Sequence, residues 1–145
     1  MEGVFKRTSQ RALREAVAIP AGWVVISHLW VSDRPERRRT TGKWFKIESD
    51  QGRVYRLVRF SPKLKGSPKA GSGELVMDWT AWLRLTGFAE DTDVELNLKF
   101  TRSPWWAFPA WMLTHPEPTF VLSGIISLIS LALGIVALLG IFPHK

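Results

Sequence analysis

Side chains that could do covalent or acid–base chemistry are scarce in this sequence. Its 145 residues include no Cys and only three His, which excludes thiol nucleophiles, thiolate metal sites and disulfides. His28 lies in the apolar run VVISHLWV, where it reads as a satisfied core or edge histidine rather than a general base. His115 falls in a Pro-rich stretch, and His144 is next to last. Glu90, Asp91 and Asp93 cluster, but a turn leading into a strand has this composition, and no His stands nearby to complete a metal site. There is no G-x-S-x-G, no P-loop and no dinucleotide fingerprint. The expectation is a protein that is not an enzyme, with no metal and no cofactor.

Binding chemistry is better represented. Lys and Arg number 20 against 13 Asp and Glu, a net charge of +7. The excess is uneven: residues 1–73 hold 16 basic and 6 acidic side chains, whereas 74–119 hold 3 and 7. Two Gly/Pro-rich segments concentrate it and read as loops. SDRPERRRTTGK carries Arg34, Arg37, Arg38, Arg39 and Lys43, and SPKLKGSPKAGSG carries Lys63, Lys65 and Lys69. Beside a bilayer, each such residue adds about 1 kcal/mol of attraction to anionic lipid. The same residues suit a protein partner or a plainly solvated face. Nucleic acid is disfavoured, because no recognition motif or stacking platform accompanies them.

The elements that must position these residues start from the far end of the chain. Residues 120–142, FVLSGIISLISLALGIVALLGIF, contain no charge. At 1.5 Å per residue they span about 34 Å, the thickness of a hydrocarbon core crossed with modest tilt. No face of the segment is polar, as a soluble amphipathic helix would require. The sequence therefore predicts a single-pass, tail-anchored transmembrane helix with a short tail, 143–145. The N-terminus has no apolar export signal, and 19 of the Lys and Arg precede the helix, so residues 1–103 are expected in the cytoplasm. Within the helix, Ser123, Ser127, Ser130, Gly134 and Ala137 recur at spacings of 4, 3, 4 and 3. Such a small-residue stripe allows close helix approach in lipid, and predicts a homo-oligomer or pairing with other membrane subunits.

Ahead of the helix, residues 104–119 form a Trp/Pro-rich collar containing Trp105, Trp106, Phe108 and Trp111. Trp favours the headgroup layer, where its ring is half apolar and its N–H stays wet. Pro109, Pro116 and Pro118 break any continuous helix, so a short interfacial turn or helix followed by an extended link is expected. The alternative is that these rings plug the base of the soluble domain.

Residues 1–103 read as short strands separated by turns, without a strong internal repeat. VVISHLWV (24–31) has buried-strand length; KWFKIES and RVYRLVRF around Asp50-Gln51-Gly52 read as a hairpin; residues 93–100 alternate strictly. Residues 74–77 read as a strand, Asp78 as an N-cap, and TAWLRL as two helical turns ending at Gly87. RTSQRALREAV (7–17) is weakly patterned as a helix. The segment GELVMDWTAWLRLTGFAEDTDVELNLKF resembles the strand, short helix, Gly-turn, strand unit of double-psi β-barrel domains. Asp78, Leu85, Gly87, Phe88, Asp91, Asp93 and Val94 fill comparable places, with Thr86 as a one-residue insertion and Asp91 where Gly is commoner. The resemblance covers under a fifth of the chain. It implies a fold only and carries no site residues.

The fold class expected is mainly β, a small barrel or sandwich of short strands with one or two short helices, plus one C-terminal transmembrane helix. The function expected is a non-enzymatic accessory or adaptor subunit whose basic β-domain binds a partner or anionic lipid while its helix assembles. Two alternatives share the same features: a membrane-disrupting effector that oligomerises through its helix, and a membrane tether for nucleic acid.

Overall fold

The computed structural model describes residues 1–9, 19–89 and 94–141. The described residues form seven strands: β1 (Glu2–Arg7), β2 (Trp23–Ser27), β3 (Trp44–Glu48), β4 (Arg53–Ser61), β5 (Gly66–Ser67), β6 (Ser72–Met77) and β7 (Glu95–Arg102). Helix α1 (Arg34–Thr40) lies between β2 and β3, and α2 (Trp79–Leu85) between β6 and β7. Two further helices follow the last strand, α3 (Phe108–Leu113) and α4 (Pro118–Ile141). The sheet order is β1-β7-β3-β4-β2-β6-β5, and a further β1–β6 pairing closes six strands into a barrel. Closure leaves only the short β5 hanging from β6, so the six main strands have no open edge. The fold is a barrel, not a sandwich.

Alternation builds the core. Phe45 and Ile47 on β3, Val54 and Val58 on β4, and Leu98 and Phe100 on β7 are all buried, while their neighbours in sequence are more exposed. The β3–β4 hairpin forms with Glu48 opposite Arg53. Its turn docks on α2: the Ser49 hydroxyl donates to the Leu85 carbonyl at 2.6 Å, closing one of the carbonyls that a helix C-terminus leaves open. Gly52 permits the approach, because a Cβ there would run into the Arg84 carbonyl.

The pairings contain a hidden two-fold. Exchanging β1, β2 and β3 with β4, β6 and β7 maps the parallel pair β1–β6 onto β4–β2, and the antiparallel pair β1–β7 onto β4–β3. It maps β2–β6 and β3–β7, both antiparallel, onto themselves. Helices α1 and α2 occupy equivalent places and are built alike. Asp33 and Asp78 each accept a hydrogen bond from the backbone N–H three residues on. Thr41 and Thr86 are the C-caps, and Gly42 and Gly87 follow with φ of +75° and +66°.

Several sequence expectations change. SDRPERRRTTGK is not a loop: Arg34–Thr40 is helical, opened by the Asp33 cap with Pro in the first turn. SPKLKGSPKAGSG is likewise ordered, through β5, a 3-10 turn at Pro68–Ala70 and a buried Leu64. The run 24–31 is not one strand. The Ser27 hydroxyl accepts the Leu29 N–H and turns the chain into a 3-10 helix at His28–Trp30. Arg7 belongs to β1, and the rest of the expected N-terminal helix falls largely on residues 10–18, outside the described residues. Thr86 is the C-cap of α2, and β6, α2, Gly87 and β7 form the expected strand–helix–turn–strand unit.

Candidate functional site

The collar, the cationic surfaces and α4 are the parts that remain once the core is accounted for. Pro104 precedes a 3-10 turn at Trp105–Ala107, and α3 then begins with Pro109 in its first turn, where a missing N–H costs nothing. The expected short helix is therefore present. Trp105 and Trp106 are 83% and 70% exposed, whereas Met112 is buried. Trp111 turns back onto the barrel. Its ring stacks on Trp44 at 5.1 Å and 11°, and its indole N–H donates to the Ser103 hydroxyl at 2.8 Å. The collar thus divides: Trp105 and Trp106 face outward, Trp111 is anchored to β3, and the half-exposed Phe108 sits edge-on against Trp111.

Arg56 fastens the collar to the barrel. It shares the inward face of β4 with Val54 and Val58 and is fully buried. Its guanidinium binds both oxygens of Asp78, at 2.7 and 2.9 Å, in the two-pronged geometry that suits Arg and carboxylate. Its remaining nitrogen donates to the Tyr55 carbonyl and to the carbonyl of Thr114, the C-cap of α3. A cation at that helix end also suits the helix dipole. Arg56 shows in the sequence only as a charge at an inward position of an alternating strand, which by itself names no partner.

His115 follows directly. Its ring lies 4.2 Å from that of Phe120, and its Nδ1 accepts the Glu117 N–H at 3.2 Å. Gly22 gives the imidazole room, since a Cβ there would come within 2.7 Å of Nε2. Burial pushes the His115 imidazole below its ordinary 6.5; Arg56 acts in the same direction, and Glu117 and Asp78 oppose it. His28 stands at the head of the 3-10 turn rather than mid-strand, and its buried Nδ1 has no hydrogen-bond partner among the described residues. Glu90, Asp91 and Asp93 lie outside the described residues.

The basic residues separate into three places. Arg34, Arg37, Arg38 and Arg39 lie on α1, a helix with no buried residue, and Arg34, Arg37 and Arg38 share a shallow cleft with Phe60 and Pro62. Lys65 lines a different hollow with Lys6, Glu74 and Glu95, so its positive field is partly answered. Lys63 and Lys69 are exposed on the turn and the 3-10 segment flanking β5. Lys43 belongs to a third cleft, of about 650 Å³, shared with Arg102, Ser103 and the collar residues Pro104, Trp105 and Trp111. Two rows of the sheet make this meeting possible: Phe45 pairs with Arg102, and the Ser103 N–H bonds the Trp44 carbonyl at 2.9 Å.

Helix α4 is long and apolar enough to cross a membrane over Pro118–Gly140, and none of that span is buried against the barrel. It starts two residues earlier than expected, because Pro118 fits a first helical turn. Ser123, Ser127, Ser130, Gly134 and Ala137 are all exposed on it. Ser127 donates back to the Ser123 carbonyl at 2.8 Å. Gly124, off that stripe, is where α4 meets the collar: a Cβ there would overlap the terminal methyl of Met112.

Among the described residues, no three of His, Asp and Glu converge where a metal ion could sit. Compared with known protein families and with curated proteins, the sequence matches no family model and no curated relative.

Proposed function

We propose that this chain is a single-pass membrane protein that works as a non-enzymatic accessory or adaptor subunit. In this reading α4 crosses the bilayer, the collar lies in the headgroup layer, and the barrel stands in the cytoplasm with the arginine face of α1 turned to a partner. The observation that supports it is the joint between barrel and helix. The 24-residue apolar helix is docked by Gly124 on Met112 and is followed back, through α3, to the buried Arg56. A tethered domain held this way samples a thin layer, so even a weak contact by α1 gains from high effective concentration.

The small-residue stripe supplies the assembly surface. Substituting Ser127→Ile together with Gly134→Ile should separate helices that approach over that face and abolish crosslinking in detergent-free membranes. Unchanged crosslinking would sink the assembly role. Recovery of the tagged full chain from native membranes with a defined set of other membrane proteins would support the accessory role. Recovery as a homo-oligomer alone, with leakage on overexpression, would move the reading to a membrane-disrupting effector.

A further inference from the structure

We infer that the cleft between β3, the end of β7 and the collar is a binding site for the headgroup of an anionic phospholipid. This rests on the membrane reading above and assigns a ligand class to one part of it. The cleft holds about 650 Å³, room enough for a phospholipid headgroup and its glycerol. Lys43 and Arg102 supply two cations on its walls, and no carboxylate lines it. Among the described residues neither cation has a side-chain partner. The phosphate would therefore meet donors that are unengaged, with no ion pair to break first. The stacked Trp44 and Trp111 form an apolar wall, held by the Trp111–Ser103 hydrogen bond, and the exposed Trp105 stands beside it. Charge at one end and aromatic surface at the other matches a lipid at the level where headgroup gives way to acyl chain.

Depth agrees with this. Trp111 is adjacent to Met112, which meets Gly124, the seventh residue of α4. That point is about 9 Å along the helix axis from its start. A helix of 24 residues is about 36 Å long, some 6 Å more than a typical hydrocarbon core, so with that excess at its start Gly124 lies about 3 Å below the boundary between headgroups and acyl chains, close to the level the site requires. The α1 arginines lie in a separate cleft and are not part of the site.

The test uses the full chain, reconstituted in bilayers of phosphatidylcholine with a minority of phosphatidylglycerol, extracted in mild detergent, and weighed with its retained lipid by native mass spectrometry. Phosphatidylglycerol should be retained over phosphatidylcholine, and Lys43→Gln with Arg102→Gln should reduce that preference roughly tenfold. Arg38→Gln with Arg39→Gln should leave it unchanged, and the exchange Lys43→Arg with Arg102→Lys should keep it. Both site residues are exposed, and circular dichroism checks that each variant folds. Equal retention of the two lipids, or a preference that survives the double Gln variant, overturns the site. Alkaline extraction separates the two levels: a chain that stays in the bilayer without lipid preference sinks the site alone, whereas a chain that is washed out sinks the membrane reading and the site together.

Discussion

The guanidinium of Arg56 has acceptors on β4, at the start of α2 and at the end of α3, so one side chain holds three parts of the fold in register. Arg56→Met would leave Asp78, whose side chain is 20% exposed, without its counter-ion. A loss of about 3 kcal/mol in unfolding free energy is expected, with faster proteolysis between barrel and α4. Arg56→Lys should not rescue it, since an ammonium cannot grip both carboxylate oxygens and the two carbonyls at once. His115 acts at the same joint. Its pKa is lowered in the fold, so below about 6.5 the unfolded chain binds more protons and stability falls with pH. That contribution is complete above the unfolded value and is lost as pH drops through the folded one. Protonation at Nδ1 would also remove the acceptor for the Glu117 N–H. The thermal midpoint should therefore fall from pH 7.5 to 5.5 more in the parent than in His115→Phe, and parallel curves would refute the assignment. Neither residue's partners could be read in advance. Arg56 bonds Asp78 and Thr114 across 22 and 58 positions of sequence, and only barrel closure decides that they meet.

Helices α1 and α2 share a frame and differ in content. Each runs from an Asp cap to a Gly nine positions later, but α2 buries Ala81, Trp82 and Leu85 whereas α1 buries nothing. The spacing is legible, and α2 is read from the Asp78 cap and the closing Gly87 that bracket the apolar TAWLRL. α1 escaped because RPERRRT has no apolar face; its cap and its closing Gly were the only signals, and both also occur in loops. β1 escaped for a different reason. Its place is set by pairing with β6 and β7 from the other end of the domain, while its own pattern is one buried Phe5 among mixed neighbours. The common frame gives a direct comparison. Asp33→Ala should cost about 1 kcal/mol, the ordinary value of a cap. Asp78→Ala removes a cap and also strands the buried Arg56, so it should cost about 3 kcal/mol more. Equal losses in chemical denaturation would show that the Arg56 pair contributes nothing beyond the cap.

At the scale of the whole molecule, the mainly β architecture and the apolar helix were both legible. Alternation and length are local properties that survive without knowing the partners. The closed order of strands was not, because parallel pairs such as β1–β6 and β2–β4 join distant segments. The separation of the basic residues into three places is hidden for the same reason. One feature of the joint reaches further than its contacts. Only Thr114 to Glu117 intervene between α3 and α4, and Met112 is keyed against Gly124. The barrel is thus mounted on α4 like a weathervane on its shaft. Successive residues of a helix point about 100° apart, so a neighbour that turned α4 by one position would swing the arginines of α1 through the same angle around the axis of α4. The bearing of the α1 arginines is then set at a distance, by whichever side of α4 finds company.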